Sequence, residues 1–149
     1  PELRALFRFW KERAGDRAAP ARKDFDALDL KQWLPHLQMV DVLEDFSDVR
    51  YRVIGTWIGE FYGKDDTGKT FAEIGLNDQR HQVLNEFLTA ARSMTPHVIV
   101  RPFYGREEIK EYVPAERIIL PLSEDGLSCD KLLSGIYEID RYEPSPAFR

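Results

Sequence analysis

The sequence predicts one α+β domain, and three observations carry that reading. Helical periodicity gathers at the N-terminus and in the middle of the chain, strand-like runs fall in a group of two before the middle helices and a group of three after them, and no strand-helix-strand alternation links the groups. The 149 residues, 43% of them hydrophobic, are enough for one core. There is no internal repeat and no low-complexity tract.

Taken in order, P-E-L-R-A-L-F-R-F-W-K-E-R-A-G places Leu3, Leu6, Phe7, Trp10 and Ala14 on one helical face, with Gly15 as a stop. Residues 16–23 are polar and contain Pro20, which predicts a linker that lets this amphipathic helix lie apart from the main core. Asp29 as a cap and Pro35 as a stop bracket one or two helical turns. Runs 37–43 and 50–54, separated by E-D-F-S-D, form a hairpin signal, and Tyr51 and Val53 alternate with Arg50 and Arg52 so as to face inward. Residues 55–77 suit several short helices. The longest helix is predicted over 78–94, with Val83, Leu84, Phe87, Leu88 and Ala91 on one face. Strands follow at 96–104, 111–122 and 132–139, and the turns G-R-E-E and E-D-G-L-S let consecutive ones pair antiparallel.

Composition excludes several classes. The formal charge of −5 argues against general nucleic-acid binding, which needs many cationic contacts to phosphate. The charge is uneven, with seven basic and three acidic residues up to Lys23, where alternating signs fit a solvated helix face. No apolar run approaches the roughly 20 residues of a membrane span, and the N-terminus lacks a signal-peptide core, so a cytoplasmic protein is expected. A single cysteine, Cys129, rules out an internal disulfide and a multi-cysteine zinc site.

The stretch P-A-R-K-D-F-D-A-L-D-L-K-Q-W-L-P-H-L-Q-M-V-D-V, then R-Y-R-V-I-G-T-W-I-G-E-F-Y-G-K-D-D-T-G-K-T and the late I-L-P-L-S-E-D-G, resembles a bacterial family of short PAS-like proteins. The resemblance implies a five-stranded antiparallel sheet with helices on one face, and a cavity between them. It also implies a sensory or regulatory module that binds a small ligand or a protein partner without catalysis, and it names no cofactor. On this reading the chain divides into an N-terminal helix and linker at 1–23, a PAS-like domain at 24–141 and a C-terminal tail at 142–149.

Several motifs invite other readings. Residues 63–70, G-K-D-D-T-G-K-T, satisfy the phosphate-loop pattern, but such a loop leaves a strand and enters a long helix, whereas a helix is expected before this one and a short turn after it. Asp65 and Asp66 would also oppose a polyphosphate. His36, His81 and His97 lack the spacing that sets two metal ligands on one helix face. Haem-binding members of the wider PAS superfamily take an axial histidine from the helix that His81 opens, which makes a haem sensor the alternative, beside a small-molecule carrier. Cys129 sits in L-S-C-D and lacks the N-C-R context of flavin-adduct cysteines. Glu107, Glu108 and Asp125 fall in apparent turns, and no nucleophile-base pair stands out, so no enzyme activity is expected.

Strand parity and helix periodicity nominate Tyr51, Val53, Phe61, Phe71, Leu84, Phe87, Leu88 and Phe103 for the cavity wall, with Tyr112 and Tyr137 as secondary polar-tipped rings. Arg101 shares parity with Phe103, and an arginine aimed at a cavity must find an anion or a buried carboxylate. The face of Leu3, Leu6, Phe7 and Trp10 is too apolar for a free short helix, which predicts a homodimer through it or packing on its own sheet. A signalling-protein partner is expected, since the chain carries no effector domain.

Overall fold

The computed structural model describes residues 1–105 and 112–139. Five strands form one antiparallel sheet in the order β2-β1-β5-β4-β3, with β1 at Leu37–Val42, β2 at Val49–Ile54, β3 at His97–Tyr104, β4 at Tyr112–Leu122 and β5 at Lys131–Glu138. The helices are α1 at Glu2–Ala14, α2 at Thr56–Tyr62, α3 at Phe71–Ile74 and α4 at Asp78–Ser93. The three expected hairpin pairings are present. The G-R-E-E turn beyond Gly105, with Glu107 and Glu108, and the tail at 142–149 lie outside the described residues. The pairing of β1 with β5, which no turn signal announces, joins the two strand groups at the centre of the sheet.

Both faces of the sheet are covered. On one, α3 and α4 cover Val40, Tyr51, Ile119 and Leu132, which pack with Phe71, Leu84 and Phe87, while α2 packs through Ile58 on Phe103, Ala115 and Ile136. On the other, α1 covers Leu37, Met39, Ile118, Leu120 and Leu133. The apolar face of α1 is satisfied by its own sheet, the second of the two covers expected for it, which corrects the expectation that this face forms a dimer interface. Leu3, Leu6 and Trp10 are buried within their own chain, Phe7 is partly buried against the same cluster, and the Trp10 indole donates to the Pro121 carbonyl at 2.8 Å. Gly135 makes the approach possible, because a Cβ there would lie 3.0 Å from Leu3 and 3.1 Å from Leu6.

The segment 16–23 is no free tether. Ala19, Pro20 and Ala21 are buried, and the Pro20 carbonyl accepts from the Ser123 backbone N–H at 2.9 Å. Small residues let this segment lie flat on the core. Beyond it, Asp26 and Asp29 exchange side-chain-to-backbone bonds across a turn, and Pro35 lies inside a short 3-10 turn, Leu34–His36, where its missing N–H costs nothing.

Val53 departs from expectation for an identifiable reason. Val40 pairs with Tyr51 but Met39 pairs with Val53, so Arg52 is an extra residue on β2. The bulge flips parity: Tyr51 faces the helices, while Val53 follows Met39 to the opposite face and is 37% exposed.

Candidate ligand-binding site

A cavity of about 670 Å³ opens between β2, the 63–66 loop, α3, the first turns of α4 and the end of β3. Its apolar wall is Tyr51, Phe71, Ile74 and Val83. The Tyr51 and Phe71 rings stack at 5.4 Å, and both meet the edge of Phe87 behind them, at 6.5 and 6.2 Å. The volume falls within the range of small-ligand pockets, and aromatic walls with a few polar groups are their usual lining.

Local chemistry explains why these elements stand where they do. The buried Asp48 carboxylate accepts the Phe71 N–H at 3.1 Å and the Ala72 N–H at 3.0 Å, fixing the start of α3, while the Thr70 hydroxyl caps it from the Glu73 N–H. The 63–70 loop is laced to β2, since the Tyr51 N–H donates to the Lys69 carbonyl and the Gly68 N–H to the Tyr51 carbonyl. Asn77 caps α4 by accepting from the Arg80 N–H at 2.8 Å. The Gln79 amide then bridges α4 to β3, bonding both backbone groups of Tyr104 at 2.7 and 2.6 Å. Gly105 allows the strand end to pass α2, because a Cβ there would lie 2.5 Å from the Phe61 carbonyl.

The phosphate-loop pattern has the geometry expected of a connector. It follows α2, whose C-cap Gly63 is left-handed at φ 74°, and precedes the four-residue α3. Lys64 and Lys69 both lie near Asp66, at 3.6 and 3.8 Å.

A charged cluster joins α4 to β3 and β4, outside the cavity wall. Glu86 of α4 accepts from Arg117 Nη1 at 2.8 Å and Arg101 Nη2 at 2.9 Å on one oxygen, and from Arg101 Nε at 3.2 Å on the other. Arg117 also donates to the Ser134 hydroxyl at 3.3 Å and lies over Phe87 at 4.3 Å, and Arg101 lies over Phe103 at 3.8 Å. Arg117 is 2% exposed, and its Nη2 is buried without a hydrogen-bond partner among the described residues. Burial pulls its pKa below the ordinary arginine value against the opposing pull of Glu86, yet a guanidinium keeps its charge in proteins. The cluster therefore holds two positive charges and one negative.

The predicted site residues divide accordingly. Tyr51 and Phe71 border the cavity. Leu84, Phe87 and Leu88 are core beneath it, and Phe103 and Phe61 belong to a neighbouring cluster around Ile58. Tyr137 is a correction: it lies on the α1 side of the sheet, stacked on His36 at 4.0 Å, so it cannot face the cavity. Tyr112 is exposed at the start of β4, beside Tyr104 of the edge strand β3. Arg101 meets a buried carboxylate, one of the two partners foreseen for it. Sequence reasoning missed Tyr62, Asn77 and Gln79, which connect or start helices and carry no periodic signal. It also missed Arg117, whose signal was legible: a charge opening the apolar run 118–122 of β4, where both faces of the strand are buried.

His81 is exposed at the start of α4, outside the cavity wall. Cys129 is 5% exposed, and burial pushes its thiol up to about 12. At pH 8 the thiolate is then roughly one part in ten thousand, so iodoacetamide should label the native protein only as fast as it opens. Rapid labelling of folded protein, followed by mass spectrometry with and without urea, would contradict this burial.

Comparison with known proteins places this geometry. In solved structures the fold is similar to the PAS domain of Bordetella pertussis BvgS, with a TM-score of 0.60 at 13% identity over 76% of this chain and 83% of that one. It is also similar to the blue-light photoreceptor Aureochrome1 LOV, with a TM-score of 0.53 at 8% identity over 77% and 89%. A third is the LOV protein of Rhodobacter sphaeroides, with a TM-score of 0.51 at 15% identity over 78% and 70%. No curated protein matches the chain. A family model described as PAS domain matches residues 1–137, which takes in α1 and all five strands but for Glu138, the last residue of β5. The chain belongs to this PAS domain family.

Proposed function

We propose that the chain is a cytoplasmic sensory or regulatory module that binds a small ligand in the cavity beside Tyr51 and Phe71 and passes its occupancy on by protein contact. The observation that carries this reading is the cavity itself, about 670 Å³ with aromatic walls and a polar rim, set where helices and sheet meet. Binding without catalysis is favoured by the state of the reactive groups. The Glu86 carboxylate is engaged by two guanidiniums, the buried Asp48 carboxylate by the backbone N–H groups of Phe71 and Ala72, and the Cys129 thiol is held protonated. Self-association would use surfaces other than the inner face of α1, which is occupied.

Native mass spectrometry of purified protein, with a thermal-shift screen against metabolites, tests the reading. A ligand at about 100 times its Kd is expected to raise Tm by roughly 5–10 °C. The Ile74→Trp variant, which fills the cavity with an indole, should lose that shift while remaining folded. No retained mass and no shift across the screen, or a shift that Ile74→Trp leaves intact, would remove the cavity from the account.

A further inference from the structure

We propose that the free edge of β3 is a self-association site, where residues 97–101 pair antiparallel with the same strand of a second copy about a two-fold axis at Ile99. The site is separate from the cavity. Its first support is an open edge. β3 ends the sheet, and its register with β4 runs without a bulge from His97 opposite Ile119 to Tyr104 opposite Tyr112. Pro102 faces Pro114 in that ladder, and neither has an N–H to exchange, so theirs is a non-hydrogen-bonded pair. Alternation then turns the backbone N–H and C=O groups of Val98, Val100 and Tyr104 away from β4. Tyr104 shows the same parity, since its two outward groups bond the Gln79 side chain at 2.7 and 2.6 Å. The outward groups of Val98 and Val100 have no hydrogen-bond partner among the described residues. The opposite edge of the sheet is closed: along β2, the Tyr51 N–H donates to the Lys69 carbonyl at 3.0 Å and the Gly68 N–H to the Tyr51 carbonyl at 2.7 Å.

The second support is that this stretch carries no charge to repel a strand. Edges are commonly guarded by charged side chains or a covering loop. Residues 96–100, P-H-V-I-V, contain no Lys, Arg, Asp or Glu, and three consecutive β-branched residues favour pairing. Arg101, the next residue, is held by Glu86 of its own chain at 2.9 Å. There is room beside the strand as well, because a groove of about 450 Å³ bordered by Gln82, Asn85, Thr89 and Ile99 opens between α4 and β3.

The third support selects the occupant, and it is symmetry. Pro96, just before β3, and Pro102 stand three residues either side of Ile99, at outward-facing positions where neither offers an N–H. The Pro102 carbonyl is in addition taken by Arg101 Nη1 at 3.3 Å. The edge therefore presents Val98 and Val100 bracketed by two prolines, a pattern that reads the same in both directions. An antiparallel copy in register at Ile99 matches it throughout. Val98 exchanges both bonds with the partner's Val100, Val100 with the partner's Val98, and Pro96 falls opposite the partner's Pro102, where no N–H is stranded. Ile99 meets the partner's Ile99 beside the groove. With the β2 edge closed, assembly stops at two. A contact of about five residues a side is small beside the roughly 20–30 of a standard interface, so the dimer forms only at high protein concentration.

Sedimentation equilibrium of the full chain, from low micromolar to millimolar, is expected to follow a monomer–dimer equilibrium. Val100→Pro removes an outward donor and no bond to β4. It should weaken association on the order of 10-fold or more, because the two-fold axis loses two hydrogen bonds at once, while circular dichroism keeps the signature of the fold. Ile99→Cys sets a thiol on the axis, where facing Cβ atoms approach to about 4.5–5.5 Å, and copper phenanthroline should link two copies through a disulfide. Tyr104→Cys, at the far end of the same strand and 50% exposed in the native protein, should stay unlinked, and Cys129, 5% exposed, offers no competing thiol. Should Val100→Pro fail to fold, the linking result decides by itself. A chain that stays monomeric to millimolar, leaving the edge to an extended segment of some other protein, overturns the proposal. So do association that Val100→Pro leaves unchanged, growth beyond a dimer, and linking through Tyr104→Cys but not through Ile99→Cys.

Discussion

Replacing Glu86 with alanine is expected to lower stability by about 3–5 kcal/mol, the range found when one partner of a buried ion pair is removed. Its carboxylate accepts three hydrogen bonds from two guanidiniums whose side chains are only 3% and 12% exposed. Without it, two like charges face each other in an interior where the described residues leave Arg117 the Ser134 hydroxyl and the Phe87 ring. For a chain of this length the loss corresponds to a Tm lower by roughly 6–20 °C. The double variant Glu86→Ala/Arg101→Gln should recover part of it, because a single guanidinium then remains. Urea unfolding of the three proteins measures this. A loss under about 1 kcal/mol in the single variant would mean that water reaches the arginines and that the cluster is not an interior charge.

Trp10→Ala is expected to cost about 3–5 kcal/mol, as for other large aromatic side chains removed from a core. Trp10 is 5% exposed, stacks on Phe7 at 6.1 Å and satisfies the Pro121 carbonyl, so both packing and a buried acceptor are lost together. The consequence is larger still for a chain lacking residues 1–15. Leu37, Ile118, Leu120 and Leu133 would then face water, and an exposed apolar sheet face aggregates. Light scattering and circular dichroism should find such a truncated chain unfolded or aggregated, where the full chain unfolds cooperatively. A soluble truncated protein with an unchanged urea midpoint would show that α1 is an accessory and not part of the core.

How far the sequence was legible can be followed element by element. Leu3, Leu6, Phe7 and Trp10 announced a helix that needed a cover, because period and composition are local properties. What covers it is not local: the partner surface is assembled from β1, β4 and β5, residues more than 100 positions away in the case of Pro121 and Trp10. Val53 went wrong through a single inserted residue, Arg52, since a bulge reverses every alternation after it and has no composition of its own. Arg101 was singled out by parity, but its carboxylate, Glu86, lies on a helix whose rotational setting depends on the packing of Phe87 and Leu84.

The sequence by itself determined the α+β class, the strands and the long helix, the short-helix region around 63–70 and the resemblance to PAS-like proteins. All of these rest on periodicity, turn chemistry and motif, which act over a few residues. The tertiary structure alone decided that β1 lies beside β5, that α1 closes the sheet's second face, that Tyr137 belongs to that face and that Arg101, Glu86 and Arg117 meet. The reason is that sheet order and the convergence of side chains from α4, β3 and β4 depend on how the elements share one core, a long-range property that no short window of sequence contains.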